Sequence, residues 1–447
     1  MKNKLMNFNP TRYILLGFMV VILIGSLLLK LPISSATGES VPYIDALFTA
    51  TTATCVTGLV TLPTVSTWSL FGKIVILCLI QIGGLGIITV MAGLMIFLNK
   101  RFGLKDYLLI QDTFNLNSME GLKRFVGKVI LGTLIVEVIG ALLYMIVFVP
   151  EFGATGIWIS IFNAISAFCN AGIDIISENS LTAYVLNPII NLVTCSLITI
   201  GGLGFIVWWD IIRVIKNKKG LKTLTLHSKI VLVTTAILIV VGTVGVMIGE
   251  YNNPLTMKEF SFLEKLEASF FQSINVRTAG FATLPQENLT NASALVSMAL
   301  MLIGGSPAGT AGGIKTVTLA ILVVTMIAMV KDKQEVTLFN RKIAHNDVRK
   351  AIAVTLTTVG IIFISTFSLA LITDAPLLDI MYETTSAATT VGVSRNLTTS
   401  LSALGKCIII ATMYFGRVGP ISLALALNTK KRKTNIIKHP VEEITIG

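Results

Sequence analysis

Four glycines at nearly constant spacing could supply the backbone chemistry of a cation-binding pore. Each stands ten residues after an aromatic residue and directly before an apolar one, and successive glycines are 108 to 114 residues apart. A dehydrated cation can exchange its water for backbone carbonyl oxygens, and glycine reaches the backbone angles that turn carbonyls inward. Four such loops on one chain predict a four-fold pore. The motif pairs are Phe48 with Gly58, Phe162 with Gly172, Phe270 with Gly280, and Tyr382 with Gly392.

Three residues of each loop are candidate ion ligands through their carbonyl oxygens. They are Val56, Thr57 and Gly58; Asn170, Ala171 and Gly172; Thr278, Ala279 and Gly280; and Thr390, Val391 and Gly392. The last triplet matches the first three letters of the Thr-Val-Gly-Tyr-Gly potassium filter. A glycine that only lets helices pack would explain one copy, but not four copies with the same neighbours. We therefore interpret the triplets as a selectivity filter, with potassium as the ion at its carbonyls.

Each triplet follows about ten small and apolar residues, enough for a helix too short to span a bilayer. An acidic residue stands 13 positions before the glycine at Asp45, Glu267 and Asp379, and Ser160 takes a similar place in the second copy. We expect these residues at helix N-termini, where they meet free N–H groups and the positive dipole end. The negative end then favours a cation. The aromatic residue is expected to wedge each short helix against the neighbouring spans.

The composition requires a membrane environment for these loops. The chain is 53% hydrophobic and 13% charged, with a mean hydropathy of +0.82, and 447 residues give room for about eight spans. We predict an all-α integral membrane protein with four helix–pore loop–helix repeats around a pseudo-four-fold pore. A cleaved signal peptide is the alternative for the first apolar run, but no small-residue cleavage site follows it. Apolar stretches occupy 13–29, 74–98, 129–149, 189–209, 230–249, 295–330, 351–373 and 407–427.

Basic residues recur after every second expected span. Of the 35 lysine and arginine residues, 26 lie near the N-terminus, in three connectors or in the C-terminal tail. The positive-inside rule therefore predicts cytoplasmic termini and connectors, and it accounts for the net charge of +12 without a nucleic-acid partner. The segments are 1–12 (cytoplasmic N-terminus), 13–98 (repeat 1), 99–128 (connector), 129–212 (repeat 2), 213–229 (connector), 230–330 (repeat 3), 331–350 (connector), 351–428 (repeat 4) and 429–447 (cytoplasmic tail).

The third repeat contains a segment that cannot be a regular helix. Residues 304–316 hold five glycines, a proline and a lysine, so we predict a broken helix with a flexible intramembrane loop below the filter. The order of glycine and lysine departs from a phosphate-binding loop, and no sheet strand precedes it. Arg417 lies within an apolar run, where a charge must face a partner or water. We predict a gate from Gly304, Gly305, Gly309, Gly312, Gly313, Lys315 and Arg417.

Further polar and glycine residues have structural interpretations. Glycines at 83, 201, 304 and 416 recur 24 to 29 residues after the filter glycines, and they indicate either close packing or helices that line an inner cavity. Glu137 is expected to pair with a neighbouring helix, and Arg277 is expected to brace a pore helix from behind. The five cysteines and three histidines show no disulfide or metal spacing, so no cofactor is predicted.

The combination of these motifs resembles the Ktr/Trk/HKT superfamily, and most closely the bacterial KtrB-type membrane subunits. The resemblance covers residues 10–447 and includes the four loops, the glycine-rich 304–316 segment and Phe415-Gly-Arg-Val-Gly-Pro420. It implies potassium uptake, usually stimulated by sodium, across the bacterial plasma membrane. It also implies a homodimer with one pore per protomer and a separate cytosolic RCK/KTN nucleotide-binding ring. Gly58, Gly172, Gly280 and Gly392 match the family's filter glycines, and Arg417 matches its gate arginine.

Two other functions remain open at the level of sequence. Each loop has one glycine rather than Gly-Tyr-Gly, which favours fewer ion sites and weaker discrimination against sodium. A sodium-selective or weakly selective channel is therefore the first alternative, although some sodium-favouring relatives carry serine where this chain has Gly58. A membrane enzyme is the more remote alternative, because the apolar runs hold no paired catalytic residues.

Overall fold

A computed structural model describes residues 10–98, 102–113, 121–218 and 220–419. The predicted tail at 429–447, the end of repeat 4 and most of the N-terminal segment lie outside these ranges. The helices are α1 (Pro10–Lys30), α2 (Tyr43–Cys55), α3 (Thr64–Thr67), α4 (Leu70–Leu85), α5 (Ile87–Phe97), α6 (Leu104–Thr113), α7 (Leu122–Phe152), α8 (Thr155–Cys169), α9 (Pro188–Leu203), α10 (Phe205–Lys216), α11 (Leu226–Glu250), α12 (Phe262–Asn275), α13 (Asn291–Leu302), α14 (Thr316–Val330), α15 (His345–Ala370), α16 (Leu377–Thr389) and α17 (Ala403–Val418).

Within the described residues, four helices, α1, α7, α11 and α15, are long and apolar enough to cross a membrane. The structure allows up to six spans when two bent helix pairs are each counted as one. The long helices carry apolar side chains on their outer faces, with Leu27 60%, Ile248 75% and Phe363 71% exposed. Leucine, isoleucine and phenylalanine on an outer surface are stable in a lipid environment, so the chain is a helical membrane protein.

The same element order occurs four times. A long apolar helix leads into a short helix, a tight non-helical segment follows, and a second helix leaves it. The short helices are α2, α8, α12 and α16, and each is largely buried by the longer helices around it. Small side chains make this possible, because α2 alone has three alanines and four threonines among its 13 residues.

The helices after the short ones are interrupted by glycine. The apolar runs at 74–98 and 189–209 are not single straight helices: α4 and α5 meet at 99°, and α9 and α10 meet at 96°. The bend residues Gly86 and Gly204 have φ of 83° and 87°, which a helix cannot contain. In the fourth repeat α17 ends before Gly419, with φ of 92°. A glycine thus interrupts the helix in repeats 1 and 2 and ends it in repeat 4, whereas the break in repeat 3 is longer, from Ile303 to Lys315.

The connectors contain regular structure that the sequence pattern did not predict. Helix α6 lies between repeats 1 and 2, and its Ile110 is 1% exposed. Between repeats 3 and 4, strands β1 (Thr337–Leu338) and β2 (Arg341–Lys342) form an antiparallel hairpin. The hairpin packs with Ile321 of α14 and Val348 of α15, so it joins the two repeats on the connector side.

Candidate functional site

The four motif glycines meet at one place in the structure, in cyclic order. A Cβ atom placed on Gly58 would lie 2.6 Å from the carbonyl oxygen of Ala171. The other three glycines show the same arrangement: each faces the carbonyl of the residue directly before the motif glycine of the next repeat. Gly172 faces Ala279, Gly280 faces Val391 at 2.6 Å, and Gly392 faces Thr57. Repeat 4 therefore closes on repeat 1, and a side chain at any of the four positions would collide with a backbone carbonyl.

Each filter segment, meaning the triplet that ends in the motif glycine, has two residues with positive φ rather than one. The glycines have φ of 100°, 63°, 90° and 104°, as a filter-type bend requires. Two positions earlier the chain is also left-handed, although none of those residues is glycine. These residues are Val56 (54°), Asn170 (59°), Thr278 (71°) and Thr390 (54°). Nothing in the sequence indicated this second strained position, because left-handed β-branched residues are rare.

Hydroxyl groups hold two of the segments in place. The N–H of Gly58 donates to Thr52 Oγ1 at 2.9 Å, and the N–H of Gly392 donates to Ser386 Oγ at 3.0 Å. Repeats 1 and 4 thus share a bond between the glycine and the residue six positions earlier. The third segment is built differently, because α12 ends at Asn275 and the N–H of Ala279 donates to the carbonyl of that residue at 2.9 Å.

The chain beyond the glycines lines a vestibule, which we define as the cavity of about 390 Å³ that touches all four of them. Asp174, Glu178 and Glu287 line it, and no lysine or arginine does so among the described residues. Asp174 is 8% exposed, and burial raises the pKa of its carboxyl to about 6 although neighbouring hydrogen bonds act in the opposite direction. Three carboxylates beside four glycines attract cations to the ring.

The segment from Ile303 to Lys315, here called the central loop, lies on the opposite side of the ring. Its Thr310 hydroxyl donates to the carbonyl of Phe168 at 3.1 Å and to Asn170 Oδ1 at 3.2 Å. A Cβ on Gly312 would meet Thr389 O at 2.8 Å and the Thr390 hydroxyl. The loop thus covers the ends of the second and fourth short helices, immediately below their triplets.

The backbone of the central loop bonds to the glycines of repeat 2. The N–H of Ser306 donates to Gly202 O at 2.8 Å, and the N–H of Thr310 donates to Gly201 O at 3.2 Å. In return, the N–H of Phe205 donates to Ala308 O at 2.9 Å. Because α9 ends at Leu203, these backbone groups bond to the loop instead of continuing the helix. The interruption of the second repeat thus provides the binding site for the loop of the third.

All seven predicted gate residues meet in this region. Gly304, Gly305 and Gly312 pack against neighbouring atoms too closely for a side chain. A Cβ on Gly309 would lie 3.0 Å from Gly201 O, and Gly313 has φ of 65°. Lys315 Nζ donates to Ala311 O at 2.6 Å, so this cation satisfies the loop's own carbonyls. Arg417 donates from Nη1 to Thr310 O at 2.6 Å and from Nη2 to Gly83 O. Arg417 therefore joins the loop to the first repeat.

The recurring glycines after each filter are packing positions. A Cβ on Gly83, Gly201 or Gly416 would overlap the carbonyl four positions before the filter glycine of its own repeat, on Thr54, Phe168 and Ala388 respectively. These helices approach the short helices at backbone distance. The close-packing interpretation therefore accounts for them, whereas lining a cavity is not needed.

Two expectations about the short helices are partly wrong. Asp45 and Asp379 do lie in the first turns of α2 and α16, but they accept from Lys406 and Arg395 at 2.6 Å rather than capping the helix. Glu267 lies inside α12 and accepts from Asn191, because Ser261 and Glu264 form a capping box one turn earlier.

The expectation that the motif aromatic residue packs between its short helix and the neighbouring spans is also wrong for one repeat. Phe48, Phe162 and Tyr382 are fully buried, but Phe270 is 39% exposed and the next residue, Phe271, is buried instead. The third short helix ends two residues farther from its glycine than the other three do. That difference rotates the helix face, so the buried position moves by one residue.

The isolated charges contact specific groups. Gln81 Nε2 donates to Glu137 Oε2 at 3.2 Å, which joins α4 to α7. Arg277 Nη2 donates to Gly304 O at 3.2 Å, so this arginine contacts the central loop rather than the back of a short helix. The sequence pattern missed Glu383, Arg395 and Lys406, since a single charged residue has no periodic signature.

Comparison with known proteins identifies the family to which this chain belongs. The sequence profile of a family described as TrkH, cation transport protein, matches residues 8–437. The chain belongs to the TrkH family of cation transport proteins. This family is a class of multi-pass membrane transporters and not a class of enzymes. The resemblance to the Ktr/Trk/HKT superfamily is therefore confirmed.

Curated relatives of this TrkH-family chain span its whole length. Ktr system potassium uptake protein B of Bacillus subtilis (strain 168) is 39% identical over 445 residues, covering 99% of this chain and 98% of the relative. Potassium/sodium uptake protein NtpJ of Enterococcus hirae is also 39% identical, covering 98% and 97%. The crystal structure of the potassium transporter TrkH from Vibrio parahaemolyticus is 15% identical, with a TM-score of 0.73 over 92% of this chain and 85% of that one, which shows a shared fold.

Proposed function

We propose that this chain is the potassium-translocating membrane subunit of an uptake system. The observation that carries the proposal is the closed ring in which each filter glycine faces the carbonyl before the next one. A ring of carbonyl oxygens can replace the hydration shell of a monovalent cation, and the acidic vestibule concentrates that cation beside it. Relatives that match the whole chain are named as potassium uptake proteins.

The proposed layout has eight spans in four repeats, each made of one long helix, one short re-entrant helix and one interrupted helix. The vestibule faces outward and the basic connectors face the cytoplasm, because lysine and arginine concentrate there. Both termini are then cytoplasmic, and the protein resides in the bacterial plasma membrane. The carbonyls of Val56 to Gly58, Asn170 to Gly172, Thr278 to Gly280 and Thr390 to Gly392 form the filter.

The central loop and Arg417 form the proposed gate. The loop lies directly below the ring, and the guanidinium holds it across the pathway through Thr310 O and Gly83 O. A cation on that axis also repels potassium until the loop moves. Arg417→Ala should raise rubidium leak from liposomes that hold the closed protein, whereas Lys350→Ala at the exposed start of α15 should not. Equal leak in the two variants would contradict this gate.

A sodium-conducting or weakly selective channel is the second candidate. One relative is named a potassium/sodium uptake protein, and each filter segment here contributes a single glycine. Sodium is accordingly proposed as an activating ion. Sodium passing the filter as readily as potassium would favour the second candidate.

The proposed partners are a second copy of this chain, the surrounding lipid, and a cytosolic RCK/KTN ring that binds nucleotide. Support comes from the whole-length similarity to proteins named as members of Ktr systems. The basic connectors supply the charge for contacts with anionic lipid and with a cytosolic partner.

Uptake measurements test the proposed function directly. The full chain, with and without an RCK/KTN ring, is expressed in a bacterial strain that lacks its own potassium uptake. Rubidium and sodium uptake are then measured in the same cells. We expect growth at low potassium and rubidium uptake well above sodium uptake. Uptake of neither ion, with the protein present in the membrane, would overturn the proposal.

A further inference from the structure

A buried carboxylate lies behind the fourth filter segment, outside the pathway itself. Glu383 belongs to α16, is fully buried, and stands nine residues before Gly392. Its Oε2 accepts a hydrogen bond from Ser394 Oγ at 2.6 Å, and its Oε1 accepts one from Thr398 Oγ1. Both donors follow Gly392 and line the vestibule. One carboxylate thus joins the chain that leaves the filter to the helix that enters it.

This contact distinguishes the fourth repeat from the others. The residues nine positions before the other filter glycines are Thr49, Asn163 and Phe271, and none of them is charged. Hydrogen bonds to a carboxylate are shorter and stronger than those between neutral groups. In the fourth repeat a buried acidic side chain of the short helix therefore holds the chain beyond the glycine, whereas the equivalent positions of the other three short helices are uncharged.

A second tie acts on the next residue of the same segment. Arg395 Nε donates to Asp379 Oδ1 at 2.6 Å, and Arg395 Nη1 donates to the carbonyls of Gln286 at 2.9 Å and Leu289 at 3.2 Å. Ser394 is thus held toward its own short helix while Arg395 is held toward repeat 3. With both neighbours fixed, the segment has little freedom to move toward or away from the axis.

Within the ring, the fourth filter segment contacts the third segment on one side and the first segment on the other. Val391 O lies against Gly280, and Gly392 lies against Thr57 O. A displacement of this segment therefore changes the spacing of carbonyls on both sides at once. Discrimination between potassium and sodium depends on the spacing and stiffness of such carbonyls.

We propose that Glu383 is a positioning residue for ion selection: by holding Ser394 and Thr398, it fixes the Val391 and Gly392 carbonyls at the spacing that favours the larger ion. This inference rests on the proposed potassium function. Glu383 does not touch the ion, and it acts only through the two hydroxyl groups.

The test compares the potassium-to-sodium permeability ratio of the full chain and its variants in liposomes. Because two charge-assisted hydrogen bonds are lost, Glu383→Ala should lower the ratio by about fivefold or more. Glu383→Gln can accept from one hydroxyl and donate to the other, so its ratio should stay within about twofold of the original. The combined change of Ser394→Ala and Thr398→Val should reproduce Glu383→Ala, and it also serves if the latter fails to fold.

Thr49→Ala is the matched control at the equivalent position of repeat 1, and it should leave the ratio unchanged. An unaltered ratio in Glu383→Ala or in the double variant would overturn the inference. A ratio lowered equally by Glu383→Gln would do so as well, since the bonds would then be irrelevant. If the unmodified chain carries no potassium, the proposed function fails. A selective chain with equally selective variants contradicts the role of Glu383 alone.

Discussion

At the residue scale, the filter glycines have two separate reasons to be glycine. Their positive φ is one, and the carbonyl of the neighbouring repeat is the other. The first reason was predictable from a motif that recurs four times. The second was not, because it depends on a residue more than a hundred positions away. Gly38 offers the comparison, since its φ is 76° but nothing lies within 4 Å of an added Cβ.

We expect Gly58→Ser to lower the potassium-to-sodium permeability ratio by about tenfold, because its Cβ displaces the Ala171 carbonyl of the ring. Gly38→Ser introduces a side chain at a similar φ in open space and should leave the ratio unchanged. Flux of both ions from liposomes measures the ratio. If both substitutions lowered the permeability ratio equally, the cause would be backbone strain and not the contact with the Ala171 carbonyl.

Asp174 should make uptake depend on external pH. The pKa of its carboxyl is raised to about 6, so the group is charged at pH 7 and becomes neutral as the pH falls below 6. The vestibule then loses part of its attraction for cations, and rubidium uptake should fall with a midpoint near pH 6. Asp174→Asn should have reduced uptake at pH 7 and no such midpoint. Glu178→Gln should keep the midpoint near pH 6. Loss of that midpoint in Glu178→Gln would show that the titrating group is not Asp174.

At the element scale, the interrupted helices decide where the central loop binds. Two interruptions are nearly identical, with bends of 99° after α4 and 96° after α9. The central loop bonds to the second, where α9 ends and the N–H of Phe205 donates to Ala308 O. Sequence reasoning predicted the loop in repeat 3 but treated repeat 2 as a continuous span. The binding site was missed because a glycine inside an apolar run is equally compatible with a straight helix.

Gly204→Ala and Gly86→Ala form a matched pair. Both glycines have φ near 85°. An added Cβ at Gly204 would clash with Pro307 O at 2.5 Å, whereas at Gly86 the nearest atom, Thr89 Oγ1, is 3.9 Å away and there is no clash. Because the strain is shared and the clash is not, rubidium leak in the closed state should rise by about threefold or more in Gly204→Ala alone. Size-exclusion profiles of both variants in detergent are the control for folding. The same leak from both would show that the bend at Gly204 does not hold the loop.

At the scale of the whole molecule, the two ends of the chain complete the ring. Lys406 in α17 donates to Asp45 in α2 at 2.6 Å, and Tyr414 Oη donates to Leu15 O at 2.8 Å. The pair is largely buried, with side chains 15% and 8% exposed. The last repeat is thereby fixed to the first, as a closed pore requires.

Lys406→Met should lower the free energy of unfolding by about 3 kcal/mol, because it leaves the Asp45 carboxylate buried without a counter-charge. The double variant with Asp45→Asn should recover part of that loss. Thermal unfolding midpoints in detergent measure both effects. Lys350→Met removes an exposed pair with Asp347 and should change little. An unchanged midpoint in Lys406→Met would show that this pair does not close the ring.

The sequence alone determined the membrane environment, the four repeats of glycine and aromatic residue, the irregular segment in repeat 3 and the unusual arginine. These follow from local composition and spacing, because an apolar run must be buried or face lipid and a glycine with special φ has few substitutes. Only the tertiary structure decided that Gly204 releases backbone groups for the central loop, that Phe271 replaces Phe270 inside, and that Glu383 holds Ser394. Each of these depends on which distant backbone or side chain lies opposite, and periodicity carries no information about such partners.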